Sequence, residues 1–180
     1  MAAPSAWVQR WVHLLRPGGT VLDVACGHGR HVRWLAERGF AVTALDRDEA
    51  ALHGLRNVAE VIAADIEGAA WPLPSRPFDA VLVTNYLWRP LWPALLAAVA
   101  PGGVLIYETF ALGQQTIGKP SRPEFLLHIG ELLQAFAAWR VVAFEDGFGS
   151  DTALDAPRYV QRIVAVKPAL AGPEWPRYGL

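Results

Sequence analysis

The chain of 180 residues contains one cysteine, Cys26, so no disulfide can form within it. A lone thiol fits a reducing compartment, and the expected location is the cytoplasm. Hydrophobic residues make up 53% of the sequence, yet no apolar run approaches the length of a membrane span. The opening MAAPSAWVQRWVHLL reads as an amphipathic helix with Trp7, Trp11, Leu14 and Leu15 on one face, not as a secretory signal. Neither sign of charge is in excess. The net value of −1 leaves no electrostatic footprint for nucleic acid. Repeats and low-complexity tracts are missing too, and no Gly-Lys-Ser/Thr follows a glycine loop, which excludes a P-loop. The expectation is a single domain over residues 1–180, long enough to bury a substantial core, with a surface tail at 168–180.

What is present is concentrated in LDVACGHGRH, Leu22 to His31. An apolar run ends in an acid, a loop of small residues carries Gly27 and Gly29, and a helix-like pattern follows. Strand, tight turn and helix start in this order let backbone press close against a ligand. ALDRDEAAL then places Asp46 at the end of a second apolar run, with Arg47 beside it. An acid at the tip of the second strand of a βαβ unit is where a ribose diol is gripped. The two features together point to a nucleoside-containing cofactor.

A dinucleotide fingerprint requires a third glycine, and counting from Gly27 puts Val32 there. The pattern runs Asp23-x-Ala25-x-Gly27-x-Gly29 instead. It resembles motif I of the class I S-adenosylmethionine-dependent methyltransferases, an acid followed by three alternating glycines. Ala25 replaces the first of them. The added methyl group matters only if position 25 takes positive φ.

The resemblance extends over roughly Thr20 to Lys167 and gives the other stations in order. AADIEG brings Asp65, which in that family meets the adenine amino group, and Ile66, which packs on the ring. FDAVLVTNYL looks like the fourth strand, with Thr84, Asn85 and Tyr86 at its carboxyl end, and PGGVLIYETF like the turn and fifth strand. The family would use Asp23 to order the loop or meet the methionine amino group. Ala25, Gly27 and Gly29 would admit the amino-acid portion, Asp46 would take the ribose hydroxyls, and Asn85 and Tyr86 would stand where the methyl group emerges. The loop after strand five, residues 109–129, together with NYLWRPLWPALL, resembles the tellurite-resistance (TehB-like) branch of small-molecule methyltransferases. Leaving the carboxyl edge of the sheet, that loop is expected over the cofactor crevice.

The implied fold is a Rossmann-like α/β sandwich around a mostly parallel seven-stranded sheet that closes in an antiparallel hairpin. Strands are expected at 20–25, 40–45, 58–64, 78–84, 102–108, 139–147 and 158–167. Helices are expected at 5–16, 29–38, 48–56, 90–99 and 130–138.

Each site residue has a plainer reading. Asp46 could cap the next helix, since Glu49 stands three residues on, and Asp65 could cap a turn before Gly68. His28 and His31 lack a spaced third ligand, so no metal is expected. Cys26 reads as a small core filler. Lys119, Arg122 and Arg89 are available to attract an anionic acceptor. Glu108, His128 and Tyr86 are the candidates for a general base, and a soft nucleophile such as a thiolate or chalcogen oxyanion would need none.

The resemblance therefore implies methyl transfer from S-adenosyl-L-methionine to a small-molecule acceptor, with no membrane and no nucleic-acid partner. Alternatives are a non-catalytic cofactor-binding regulatory module and a methyltransferase acting on RNA or protein. The fourth-strand sequence Thr-Asn-Tyr-Leu differs from the Asn-Pro-Pro-Tyr of amino-group methylation in DNA.

Overall fold

A computed structural model describes residues 2–150, 156–169 and 178–179. Seven strands form one sheet: β1 (Thr20–Val24), β2 (Ala41–Asp46), β3 (Glu60–Ala63), β4 (Phe78–Thr84), β5 (Val99–Phe110), β6 (Arg140–Ser150) and β7 (Pro157–Val166). Their order is β3-β2-β1-β4-β5-β7-β6. The first five run parallel, and β7 lies antiparallel between β5 and β6. The expected α/β architecture with its closing antiparallel pair is thus present. β4 spans the residues expected of it, because FDAVLVT is a continuous apolar run buried on both faces.

Helices cover both faces. On one side lie α1 (Ala6–Trp11), α2 (Arg30–Ala36) and α3 (Glu49–His53), which bury Trp7, Trp11, Val32, Leu35 and Leu52 against Val21, Ala44, Leu82 and Ile106. On the other lie α4 (Trp92–Ala98) and α5 (Glu131–Ala135), packed by Leu95, Leu132 and Phe136 against Val24, Val83, Leu105 and Tyr107. Among the described residues, no helix is long and apolar enough to cross a membrane.

Most helices are shorter than the sequence pattern predicts, and local chemistry explains why. Ser5 caps α1, its Oγ accepting from the Trp7 and Val8 amides; after Trp11 the backbone tightens into a 3₁₀ turn over Val12–Leu14. The expected helix at 48–56 is confined to Glu49–His53 between an Asp48 N-cap and Gly54. Asp48 Oδ1 accepts from Ala50 and Ala51, so the capping-box reading of Asp46 is set aside: the cap is two residues further on. The helix expected at 130–138 keeps five residues, Glu131–Ala135. Of the tail at 168–180, residues 170–177 and 180 lie outside the described set. Gly179 offers its carbonyl to His13 Nε2 at 3.2 Å, and Tyr178 packs on the α1 side of the core.

Candidate cofactor and acceptor site

The loop after β1 is wound tightly. Positions 25, 27 and 29 all take positive φ, at 53°, 53° and 71°. Gly29 is required twice over. It adopts the left-handed conformation at the cap of α2, and a Cβ there would lie 2.4 Å from Leu55 Cδ2 in the core. Ala25 takes the same backbone region with a side chain, so the replacement of the first glycine is not neutral: it stores left-handed strain at the lip of the site.

Two carboxylates hold this loop and the next. Asp46 Oδ2 accepts from the Gly27 amide at 2.7 Å, and its Oδ1 accepts from Asp48 at 3.0 Å. Asp65 Oδ1 accepts from the amides of Glu67 at 2.9 Å and Gly68 at 3.3 Å, the turn cap that the sequence allowed. Both side chains also face a cavity of 210 Å³ at the carboxyl edge of β1–β3. Ala25, Asp46, Arg47, Asp65, Ile66 and Tyr86 line it, six of the residues singled out in the sequence. Ala64 and Glu67 complete the lining. Sequence reasoning passed over both, although each is adjacent in the chain to a residue it had named.

Asp23, Gly27, Gly29 and Asn85 lie outside that lining. Asp23 is fully buried near the end of β1, and among the described residues neither of its oxygens has a hydrogen-bond partner. Burial raises its pKa to about 7; the nearby Arg30 pulls it back, and Asp46 adds to the rise. His31 stands beside it, with Nδ1 3.8 Å from Oδ2. The other ring nitrogen, Nε2, accepts from the Ser5 amide at 3.1 Å, so His31 joins the start of α1 to the motif I acid. Among the described residues no group of three metal-ligating side chains comes together. Cys26 is buried, and its thiol is pushed far up by desolvation and by Asp23.

Asn85 adopts φ of 55°, donates its amide to the Glu108 carbonyl at 2.9 Å, and accepts from Arg158 at 3.4 Å through Oδ1. Its side chain is exposed and does not reach the cavity. Tyr86 does. Its hydroxyl is buried beside the Glu67 carboxylate, and burial together with that carboxylate keeps it protonated far above neutral pH. Tyr86 is therefore a hydrogen-bond donor, and its candidacy as a base is withdrawn.

The long loop is tied down by contacts within the protein. Leu112 and Leu127 close its base, the Leu112 amide donating to the Leu127 carbonyl at 2.9 Å. Arg89 then gathers it: Nη1 reaches the Glu124 carbonyl at 2.8 Å, Nη2 the Leu126 carbonyl at 2.9 Å, and Nε pairs with Glu131 at 2.5 Å. None of residues 109–129 is among those that line this cavity. Arg89, which the sequence offered either to an anionic acceptor or to solvent, has its donors engaged by protein. Arg122 pairs with Glu124.

Sheet order, glycine loop, strand-end acids and closing antiparallel strand together define the fold of the class I S-adenosylmethionine-dependent methyltransferases. Residues 21–103 match the family model described as a methyltransferase domain. The structure of TehB from Haemophilus influenzae shares this fold, superposing with a TM-score of 0.72 at 19% identity and covering 89% of this chain and 61% of that one. Among curated proteins, a trans-aconitate 2-methyltransferase of Paracidovorax citrulli is 41% identical over 99 residues, 49% of this chain and 37% of that protein. A ubiquinone biosynthesis O-methyltransferase of Azotobacter vinelandii is 36% identical over 115 residues, 57% of this chain and 48% of that protein. The matches thus span less than half the length of these two curated relatives.

Proposed function

We propose that this chain, read as one domain over residues 1–180, binds S-adenosyl-L-methionine and transfers its methyl group to a small-molecule acceptor in the cytoplasm. The observation that carries this reading is the meeting of Ala25, Asp46, Asp65 and Ile66 at one cavity from the ends of three successive strands. Its volume is below the roughly 300–1,000 Å³ of pockets that enclose a whole drug-sized ligand. It suits the nucleoside end of the cofactor, with Asp46 on the ribose and Asp65 and Ile66 on the adenine. Arg47 flanks the opening. The methionine end has its counterpart in Asp23, whose buried, unpartnered carboxylate fits an ammonium group. Gly27 and Gly29 keep the intervening backbone close to the ligand.

When bound, the cofactor supplies an activated sulfonium methyl, so covalent catalysis by the protein is unnecessary. The chain's own task is to hold the two partners in line and exclude water. Tyr86, with a protonated hydroxyl at the cavity, orients the reacting groups by donation, and Asn85 anchors the turn that carries it. The relatives named as methyltransferases of small carboxylic acids and quinone precursors favour a small acceptor over nucleic acid.

Calorimetric titration with S-adenosylmethionine, S-adenosylhomocysteine and NAD tests the reading. The first two should bind at micromolar concentration and NAD not at all. Asp46→Ala should lose about 2 kcal/mol, or roughly thirtyfold in affinity. Binding of NAD, or of none of the three, sinks it.

A further inference from the structure

Strand alternation places Asp23 of β1, Thr84 of β4 and Glu108 of β5 on the sheet face that α1 covers, in line with Val21, Leu82 and Ile106. Thr84 and Glu108 are register partners at the carboxyl ends of their strands. Asp23 lies opposite Leu82, one step lower. Because β4 separates them, β1 and β5 stand about 10 Å apart.

Both carboxylates are buried and incompletely bonded. Glu108 is 3% exposed, and its Oε1 has no hydrogen-bond partner among the described residues. Its other oxygen is pinned: Oε2 accepts from Arg162 Nε at 3.0 Å, and Arg162 Nη1 donates to Glu145 at 3.0 Å. Arg10 of α1 completes the row, 3.8 Å from Glu145. One edge of the Glu108 carboxylate is thus fixed to the β6–β7 pair while the other is left open. A buried acceptor without a donor costs about 1–3 kcal/mol, and such atoms in native proteins call for a ligand, a water or a catalytic role.

Resting on the reading above, we infer that Glu108 Oε1 receives the methyl acceptor, and that this acceptor is a neutral or cationic molecule whose nucleophilic atom carries a proton. Asp23 is matched by the cofactor's ammonium, which leaves Glu108 for the second substrate. An oxyanion or carboxylate would meet the open oxygen of the buried Glu108 carboxylate there, and a like charge in a desolvated site is disfavoured. Four of the chain's arginines are already engaged by protein. Arg89 holds the long loop, Arg122 pairs with Glu124, Arg162 sits between two carboxylates, and Arg158 donates to Asn85. In the step itself, the proton on the nucleophile passes to Oε1 as its bond to the methyl carbon forms. The methyl–sulfur bond breaks with its electron pair remaining on sulfur, so charge and atoms balance. Glu108 then returns the proton to solvent.

Two measurements test this. A crystal structure with S-adenosylhomocysteine should show Oε1 facing open space within about 7 Å of the sulfur, the reach of an in-line nucleophile plus one hydrogen bond. An Oε1 sealed by protein, or more than about 10 Å away, overturns the inference. The second measurement uses Glu108→Gln, which keeps the shape and the Arg162 contact. It should bind S-adenosylhomocysteine as the wild type does, although removing the charge that faces Arg162 lowers its melting temperature. Labelled methyl transfer to 2-mercaptoethanol and to ethanolamine should fall about 100-fold or more in kcat with KM within about threefold, and the acidic limb of the pH–rate profile should vanish. Glu108→Asp should recover part of the rate. Wild-type preference for selenite, tellurite or simple carboxylates, or full activity of Glu108→Gln, refutes it. If the panel holds no acceptor, the complex structure decides. Failure of the wild type to bind S-adenosylhomocysteine refutes the proposed function, and the inference falls with it.

Discussion

The two halves of the sheet edge treat their polar groups differently. On the β1–β3 side, Asp46, Asp48 and Asp65 each have an oxygen occupied by backbone amides, and the loops they hold are set before any ligand arrives. On the β4–β5 side, Glu108 Oε1 is buried with no hydrogen-bond partner among the described residues, and the buried Tyr86 hydroxyl faces the Glu67 carboxylate. A preorganised half suits a ligand that is always the same, since ordering costs have been met in folding. Open donors and acceptors suit a half that discriminates among partners, because a wrong partner leaves them desolvated and unsatisfied. Asp23 is the exception, an orphan on the ordered side, and it marks where the two regimes meet.

That contrast can be broken most forcefully at Gly29. Gly29→Ala combines left-handed strain with a contact on Leu55, which is fully buried and has little room to give. Urea unfolding should show a loss of about 2–4 kcal/mol. Asp46→Asn comes next. It weakens the acceptor for Gly27 and Asp48, and should cost about 1–2 kcal/mol in cofactor affinity by calorimetry while shifting unfolding less.

Asp23 sharpens the comparison through pH. Its folded pKa, about 7, lies above the unfolded value of 3.8, so the folded state holds the proton more tightly. The associated stability is complete below pH 3.8, declines as pH rises toward 7, and is gone above it. Denaturation of the ligand-free protein at pH 5 and pH 8 should show lower stability at pH 8, and Asp23→Asn should flatten the difference. Should the wild type prove equally stable at both, the carboxylate is already neutralised. The smallest effect belongs to Ala25→Gly, which relieves φ of 53° and should stabilise by roughly 0.5–1 kcal/mol in the same unfolding assay.

Much of this was legible in the sequence where the governing interactions are local. Continuous burial on both faces spelled out β4, and of the spaced acids Asp46 and Asp65 do line the cavity, while Gly29 takes the left-handed turn its spacing suggested. What escaped depends on distant partners. The Ser5–His31 contact joins residues 26 apart, and Arg89 reaches 35 to 42 residues along the chain to fix the long loop. No periodicity encodes such contacts, so Arg89 read as a charge for an acceptor or for solvent. The Asp46–Glu49 pair imitated a capping box because Asp48 offers the same chemistry two residues later.

The position of β7 has a consequence for how the protein is made. As residues emerge from the ribosome, β5 and β6 are complete before β7 exists, yet the two are neighbours of β7 and not of each other. The open flank of β5 must wait, and β6 has no sheet partner until residues 157–166 slot between them. Closure is therefore a late, long-range event, of the kind that slows folding and leaves strand edges exposed to chaperones or to other nascent chains. Glu108 and Arg162 meet only at that insertion, so the arm of the site that grips Glu108 is among the last parts of the molecule to be built.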